Sequence, residues 1–193
     1  MLSSADAHAL LHRFGGDAAW TRHCEAVSRV AARVGALMTP KYRLDAEYLT
    51  AGALLHDIGR YKTHDPILHG VEGYRLLTSL GHHREAFICA SHILCGMPRA
   101  EAFRFGLPDR DFFPLTMEQR LVPLLDSLVE FDKPTTLEQR VRSLHRRYPD
   151  DAWFLGRTEQ AAAVARELLD ELNLELGISL EQVAAKTLSS NGA

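Results

Sequence analysis

The sequence predicts an all-α fold, a helical bundle of about seven to nine helices. Apolar residues recur at spacings of three and four through most of the 193 residues, which is the period of an amphipathic helix. Alternating runs of β-branched residues, which would indicate strands, are scarce. In three segments, which begin at Thr116, Thr136 and Ser179, a hydroxyl residue is followed three positions later by a glutamine. This is the capping box that marks the first turn of a helix.

These patterns predict nine helices in order along the chain, with ends defined to within a few residues. They cover residues 4–14, 19–38, 43–57, 67–80, 83–94, 117–131, 137–148, 157–175 and 180–188. Between Cys95 and Leu115, glycines and prolines interrupt the helical pattern and predict a long excursion that covers a site. Its four phenylalanines either pack in the core and loop or line a nucleobase pocket; they are Phe103, Phe105, Phe112 and Phe113.

Length and composition favour one ordinary domain, residues 1–193, with a hydrophobic core of its own. The chain is 46% hydrophobic and 24% charged, as soluble globular proteins are. A formal charge of -3 gives no overall attraction for nucleic acids or anionic membranes. The three cysteines form no CxxC pair, and no apolar run is long enough to span a bilayer. We therefore expect a cytoplasmic protein that acts neither on membranes nor on nucleic acid.

The most informative feature is the pair His56-Asp57 at the end of an apolar segment, YLTAGALLHDIG. An aspartate near the C-terminal end of a buried helix is opposed by the helix dipole and by the loss of hydration. It needs a compensating positive charge, which a divalent metal ion would supply. Taken alone, the pair is equally compatible with a buried hydrogen bond between the two side chains.

Other polar side chains in apolar surroundings are candidates for completing a metal site. His23 lies early in a helix, His69 opens the helix after the pair, His92 ends another, and Asp126 is flanked by leucines. Imidazole and carboxylate groups together suit zinc, manganese, iron and cobalt, whereas calcium prefers more oxygen ligands. Each of these residues also has a structural alternative, such as a helix cap or a pairing with an arginine.

The order of these residues resembles the HD superfamily of metal-dependent phosphohydrolases, and HDIG is the signature of one subclass. The resemblance runs from about His23 to Phe131, and HDIGRYKTH followed by HG resembles an uncharacterized HDIG family found widely in archaea. It implies an HD-domain helical bundle with its core at about residues 19–131. The helices at about 137–188 would pack on that core or form a homodimer contact.

The resemblance also implies a ligand set, in which one metal is bound by His23, His56, Asp57 and Asp126. Many HDIG proteins have two further histidines that bind a second metal with a shared carboxylate, and His69 and His92 match them in order and spacing. The implied cofactors are two divalent ions of iron, manganese, zinc, cobalt, nickel or magnesium. The implied reaction is attack of a metal-activated water on phosphorus, with Asp57 as the bridging or orienting group.

Arg60 directly follows the signature, where related proteins often have a lysine, and is a candidate for a catalytic and phosphate-binding role. Lys62, His64 and Arg99 are weaker candidates for the same substrate-binding rim. The expected partner is a small phosphorylated substrate, in particular a nucleotide. Two other functions stay open. A few HD-domain proteins with the same six ligands resemble di-iron oxygenases, so this chain is alternatively such an oxygenase. The third alternative is a non-enzymatic module in which the fold senses a nucleotide or binds a partner.

Two departures from the family pattern concern the helix that carries Asp126. Pro123 lies three residues before that ligand, where it removes one backbone hydrogen bond and is expected to kink the helix. Leu125 is also bulkier than the small residue that is usual there. We therefore expect Asp126 to be the ligand whose position is most affected.

Overall fold

The computed structural model describes residues 2–189, and this part of the chain contains ten α-helices and one short hairpin. The helices are α1 (Ser4–Gly15), α2 (Ala19–Met38), α3 (Ala46–Leu55), α4 (Leu68–Ser79), α5 (His83–Ser91), α6 (Arg99–Arg104), α7 (Met117–Ser127), α8 (Leu137–Arg147), α9 (Ala152–Leu176) and α10 (Leu180–Ser189). The antiparallel strands are β1 (Val129–Glu130) and β2 (Lys133–Pro134), and single 3-10 turns follow α3 (Ile58–Tyr61) and α5 (Ile93–Cys95). The all-α prediction is confirmed.

The count of helices exceeds the predicted seven to nine because α6 lies in the excursion, where the sequence pattern predicts no helix. Its six residues begin directly after Pro98, and a helix this short has too few positions for a helical period to show. The excursion is closed by a bridge between Met97 and Phe112, both of which are buried. Phe112 is therefore a core residue.

Polar caps fix where several helices begin. Thr116 and Thr136 form complete capping boxes with the glutamine three residues on, as predicted. Asp151 accepts a hydrogen bond from the backbone N–H of Phe154 and caps α9, which begins at Ala152 instead of the predicted residue 157. The helix starts earlier than predicted because its first residue is set by the cap at Asp151, whereas the prediction relied on apolar spacing that becomes regular only further along the helix.

The largest hydrophobic cluster is built around α2. Val30 and Val34 of α2 are fully buried in a cluster that also contains Leu124 of α7, Leu172 of α9 and Leu180 of α10. Burying one such side chain contributes about 1.5–3 kcal/mol, so α9 and α10 are held against the helices that precede them. Within residues 2–189, no helix combines the length and the apolar character that crossing a membrane requires.

α7 ends at Ser127, before the predicted residue 131, and the hairpin follows. The hairpin packs against α2 and α10, and Phe131 in its turn has a left-handed φ of 57°. The prediction extended the helix to residue 131 because the apolar spacing continues past Ser127. The hairpin instead depends on contacts with distant parts of the chain, which this spacing does not show. Pro123 does not end α7, which continues through it to Ser127.

Two glycines allow the segments that carry the predicted ligands to approach one another closely. A Cβ atom on Gly59 would lie 1.9 Å from the carbonyl oxygen of His69. A Cβ atom on Gly70 would lie 2.5 Å from the carbonyl oxygen of Cys89. Because neither position has room for a side chain, the turn after α3 packs directly on α4, and α4 packs directly on α5.

Candidate metal centre

The six residues predicted as metal ligands come together inside the bundle, on segments that are far apart in the sequence. They are His23 on α2, His56 and Asp57 directly after α3, His69 on α4, His92 directly after α5 and Asp126 on α7. The side chain of Asp126 is 19% exposed, and the other five residues are buried. The fold therefore places two carboxylates and four imidazoles in one largely dry cluster.

One group of potential ligand atoms surrounds the carboxylate of Asp126. Its Oδ1 lies 2.9 Å from Nε2 of His23 and 3.8 Å from Nε2 of His56, and these atoms are all within 4.8 Å of one another. α7 therefore directs Asp126 into the cluster although Pro123 lies one turn earlier in the same helix.

A second group surrounds Asp57. Its Oδ1 lies 2.8 Å from Nε2 of His69, 3.4 Å from Nε2 of His92 and 3.9 Å from Nε2 of His56. The Nε2 atoms of His69 and His92 are 3.3 Å apart. His56 faces both carboxylates, so the two groups form one continuous centre.

The four histidines are oriented in the same way, by a hydrogen bond from Nδ1 to a backbone carbonyl oxygen. The acceptors for His23, His56, His69 and His92 are the carbonyls of Phe131, Ala53, Asp65 and Cys89, at 2.6, 2.8, 2.7 and 2.8 Å. A carbonyl only accepts, so each Nδ1 carries a proton, and in a neutral ring each Nε2 presents a lone pair. Histidines that bind metals are usually oriented by such a bond.

The lone pairs converge without a protein donor among them. Nε2 of His56 is buried and has no hydrogen-bond partner in the described part of the chain, and Nε2 of His69 faces Nε2 of His92. A buried polar atom without a partner costs about 1–3 kcal/mol. A proton would satisfy one nitrogen at a time, whereas a divalent cation would satisfy several at once.

Both carboxylates are held in the ionised form that metal binding requires. Burial by itself would raise the pKa of Asp57, but His69 and Arg60 outweigh burial and hold that pKa well below its usual range. Burial also opposes ionisation of Asp126, and the neighbouring His23, His56 and Arg140 outweigh burial and hold its pKa well below its usual range. The chemistry of this donor set therefore fits a divalent ion.

Arg60 is not a free phosphate ligand in this structure, because its Nε donates to Oδ2 of Asp57. Burial alone would lower the pKa of Arg60, and Asp57 outweighs burial and raises it. The other N–H groups of this guanidinium form no hydrogen bond with residues 2–189. Arg60 thus positions the carboxylate of Asp57 and keeps donors for another group.

A pocket of about 420 Å³ opens on the metal centre. Its lining includes His23, Asp57, Arg60, His64, Arg140, Arg147, Trp20 and Phe131. Of the predicted substrate-binding residues, the structure brings Arg60 and His64 into this pocket. Lys62 pairs with Glu72, and Arg99 pairs with Asp109, both on the exposed surface, so neither lines it.

Arg140 and Arg147 of α8, which the sequence patterns did not single out, form part of the pocket wall. Arg140 lies 3.7 Å from Oδ1 of Asp126, and Arg147 lies 3.3 Å from Oε1 of Glu130. The two arginines are seven residues apart, which places them on one face of a helix two turns apart. The spacing in the sequence could therefore have predicted that the two arginines share a helix face. It could not have predicted which part of the protein that face contacts.

A family comparison agrees with this geometry. Residues 20–129 match the HD domain, and this range contains all six clustered residues. The chain belongs to the HD domain family. Proteins of this family bind divalent metals and are generally hydrolases. The matched range includes His56 and Asp57, whereas α8 lies beyond it.

Archaeal relatives of the HD domain protein include an uncharacterized protein of Methanocaldococcus jannaschii, 35% identical over 153 residues that cover 78% of this chain and 86% of that protein. A tRNA (cytidine(56)-2'-O)-methyltransferase of Thermoplasma volcanium is 33% identical over 144 residues, 74% of this chain and 41% of that protein. The enzyme of the same name from Picrophilus torridus is 33% identical over 158 residues, 80% of this chain and 45% of that protein. This chain spans less than half the length of either methyltransferase. No solved structure gives a significant match.

Proposed function

We propose that this HD domain protein is a metal-dependent phosphohydrolase that acts on a phosphomonoester or phosphodiester, in a nucleotide or another small phosphorylated metabolite. The observation that carries the proposal is the position of three arginines, Arg60, Arg140 and Arg147, in the pocket that opens on the metal centre. Phosphoryl transfer needs positive charge on the phosphate oxygens and an activated water beside phosphorus. The pocket has side chains for the first requirement and a metal centre for the second.

We further propose two divalent ions of iron, manganese, zinc, cobalt, nickel or magnesium. One would be held by His23, His56, Asp57 and Asp126, and the other by His69, His92 and the shared Asp57. Six ligand side chains are more than one tetrahedral ion takes, and Oδ1 of Asp57 lies within 3.9 Å of three imidazole nitrogens. When bound, such ions supply Lewis acidity that activates water and neutralises charge on a phosphoryl group.

The arginines would hold the phosphate beside the centre. Arg140 is close to Asp126, so a phosphate on its guanidinium would lie next to the ligand cluster. Burial lowers the pKa of Arg147, and the neighbouring Arg140 and Arg60 lower it further. Two of these three causes are positive charges that line the same pocket. An anionic substrate would relieve that repulsion.

Two aromatic residues of the same pocket support a nucleotide as the substrate. Trp20 and Phe131 line it, and Phe131 is 67% exposed, so its ring can be reached by a base. Aromatic rings offer stacking surfaces that any base can use. The cavity lies within the range of about 300–1,000 Å³ that is usual for small-molecule pockets.

The test is a panel of nucleotides, phosphodiesters, sugar phosphates and tRNA, assayed with manganese, cobalt, nickel and magnesium. We expect release of phosphate or of a phosphorylated product from a small substrate. His56→Ala is expected to lose at least about a hundredfold in activity, since it removes a ligand of the centre. His145→Ala removes a histidine outside the pocket and is expected to retain activity.

Three outcomes would contradict the proposal. Oxygen uptake with ferrous iron and no phosphate release would favour a di-iron oxygenase. Absence of transition metal in protein purified without chelator, with no effect of His56→Ala, would favour a non-enzymatic nucleotide-sensing module. Cleavage of tRNA but of no small substrate would refute the proposed substrate class.

A further inference from the structure

A second histidine and carboxylate cluster lies on the outer surface, where α1 meets α2. His8 and His12 of α1 face Glu25 of α2. Nε2 of His8 lies 3.3 Å from Oε1 of Glu25, and Nε2 of His12 lies 2.8 Å from the same oxygen. The two imidazole rings are 4.5 Å apart between centroids. Three potential ligand atoms therefore converge on one point.

The sequence explains this convergence. His8 and His12 are four residues apart, so they lie one above the other on the same face of α1. Ala7 and Leu11 of the adjacent face are fully buried in the core and fix the rotation of α1. The helix is therefore held with both imidazoles beside α2.

We propose that His8, His12 and Glu25 bind one divalent transition-metal ion, such as zinc, copper or nickel, with water completing its coordination. Two histidines four residues apart on a helix, joined by a carboxylate, are a ligand set that zinc takes. Tetrahedral bonds of about 2.0–2.2 Å hold neighbouring ligands about 3.3 Å apart. His8 lies at this distance from Glu25, whereas His12 lies at hydrogen-bonding distance and would withdraw slightly to admit the ion. The side chains are 54%, 38% and 33% exposed, and an open groove borders His8 and Glu25, so water has access.

This outer cluster differs from the central metal centre in how its histidines are oriented. Within residues 2–189, no backbone carbonyl receives Nδ1–H of His8 or His12, whereas a carbonyl orients every central histidine. Binding is therefore expected to be weaker and more readily reversed than at the centre. The ion would connect α1 to α2 and stabilise the folded state by mass action.

The experiment counts metal equivalents with Zn²⁺ in competition with a chromophoric chelator. The wild type is expected to bind one equivalent more than the double variant His8→Ala/His12→Ala, and Glu25→Gln is expected to weaken that equivalent at least about tenfold. The matched control, His82→Ala/His83→Ala, removes two histidines from the surface elsewhere and is expected to bind as the wild type does. Cu²⁺ bound at the cluster is expected to show two nitrogen ligands by electron paramagnetic resonance.

Equal stoichiometry in the wild type and His8→Ala/His12→Ala would overturn the proposal, as would an equal loss in the control pair. The result does not depend on the proposed phosphohydrolase activity. If the central centre bound no metal, the total would fall in every variant alike, while the difference between wild type and double variant would persist.

Discussion

At the scale of single residues, the metal centre depends on which nitrogen of each histidine carries the proton. Backbone carbonyls take Nδ1–H of all four central imidazoles and leave Nε2 directed at Asp57 and Asp126. The carbonyl that orients His23 belongs to Phe131, whose exposed ring lines the pocket. One hairpin residue therefore contributes its backbone to the metal centre and its side chain to the proposed substrate site.

Arg140→Ala tests whether the arginines of α8 bind the substrate. We expect KM for a phosphorylated substrate to rise about ten- to a hundredfold, because a charge-assisted hydrogen bond contributes about 1.5–3 kcal/mol. Metal content is expected to stay unchanged, since Arg140 is not one of the six residues proposed as metal ligands. Steady-state kinetics and metal analysis measure the two effects.

Arg142→Ala is the matched control for this prediction. Arg142 lies on the same helix, is exposed and pairs with Glu138, and it does not line the pocket. We expect its KM to equal that of the wild type. The same KM in both variants would show that α8 has no role in substrate binding.

At the scale of elements, the metal centre is assembled by close contact between the turn after α3 and α4. Gly59 in this turn approaches the carbonyl of His69 and the backbone nitrogen of Gly73, and a Cβ atom would lie 2.4 Å from that nitrogen. Asp57 and His69 are brought within 2.8 Å by the same packing. The glycine of the HDIG sequence is thus explained by a backbone contact.

Gly59→Ala is expected to destabilise the protein by about 1–3 kcal/mol, the usual cost of overpacking. The turn would move away from α4, so metal content is also expected to fall. Denaturant unfolding and metal analysis test both effects. Gly156→Ala on α9 is the control, because its Cβ atom would meet nothing within 4 Å among residues 2–189 and alanine favours a helix by up to about 1 kcal/mol. Equal stability in the two variants would contradict the packing argument.

At the scale of the whole molecule, the metal centre joins α2, α4 and α7 to the segments that follow α3 and α5. The HD domain match ends at residue 129, yet α8 completes the pocket wall. α9 and α10 share the core cluster with α2. We propose that the helices after the matched range belong to the same folding unit; a homodimer contact stays a prediction.

Removal of metal is therefore expected to lower the stability of the entire fold. A ligand present at about 100 times its Kd contributes about 2.7 kcal/mol, or about 5–10 °C in Tm for a chain of this size. The measurement is thermal unfolding with and without chelator in the His8→Ala/His12→Ala background, which leaves the outer cluster out of the comparison. Adding His56→Ala to that background is expected to abolish the chelator effect. A Tm that chelator does not change in the background variant would refute this prediction.

The sequence by itself determined the all-α class, two complete capping boxes and the six residues that cluster. Caps act over three residues and helical periods over a few turns, so both can be read locally. The resemblance to HD proteins added the assignment of these six residues as metal ligands, which stays a prediction and which composition alone leaves open.

Only the tertiary structure decided how these residues meet and what surrounds them. Nε2 of His23 and Oδ1 of Asp126 lie 2.9 Å apart across 103 residues of chain, a distance set by packing around α2. The pairing of Arg60 with Asp57, the hairpin that ends α7 and the placement of Arg140 in the pocket also depend on contacts between distant segments. Local sequence patterns do not predict such contacts, because their free energy comes from burial and from pairing of charges, which arise only once the chain has folded.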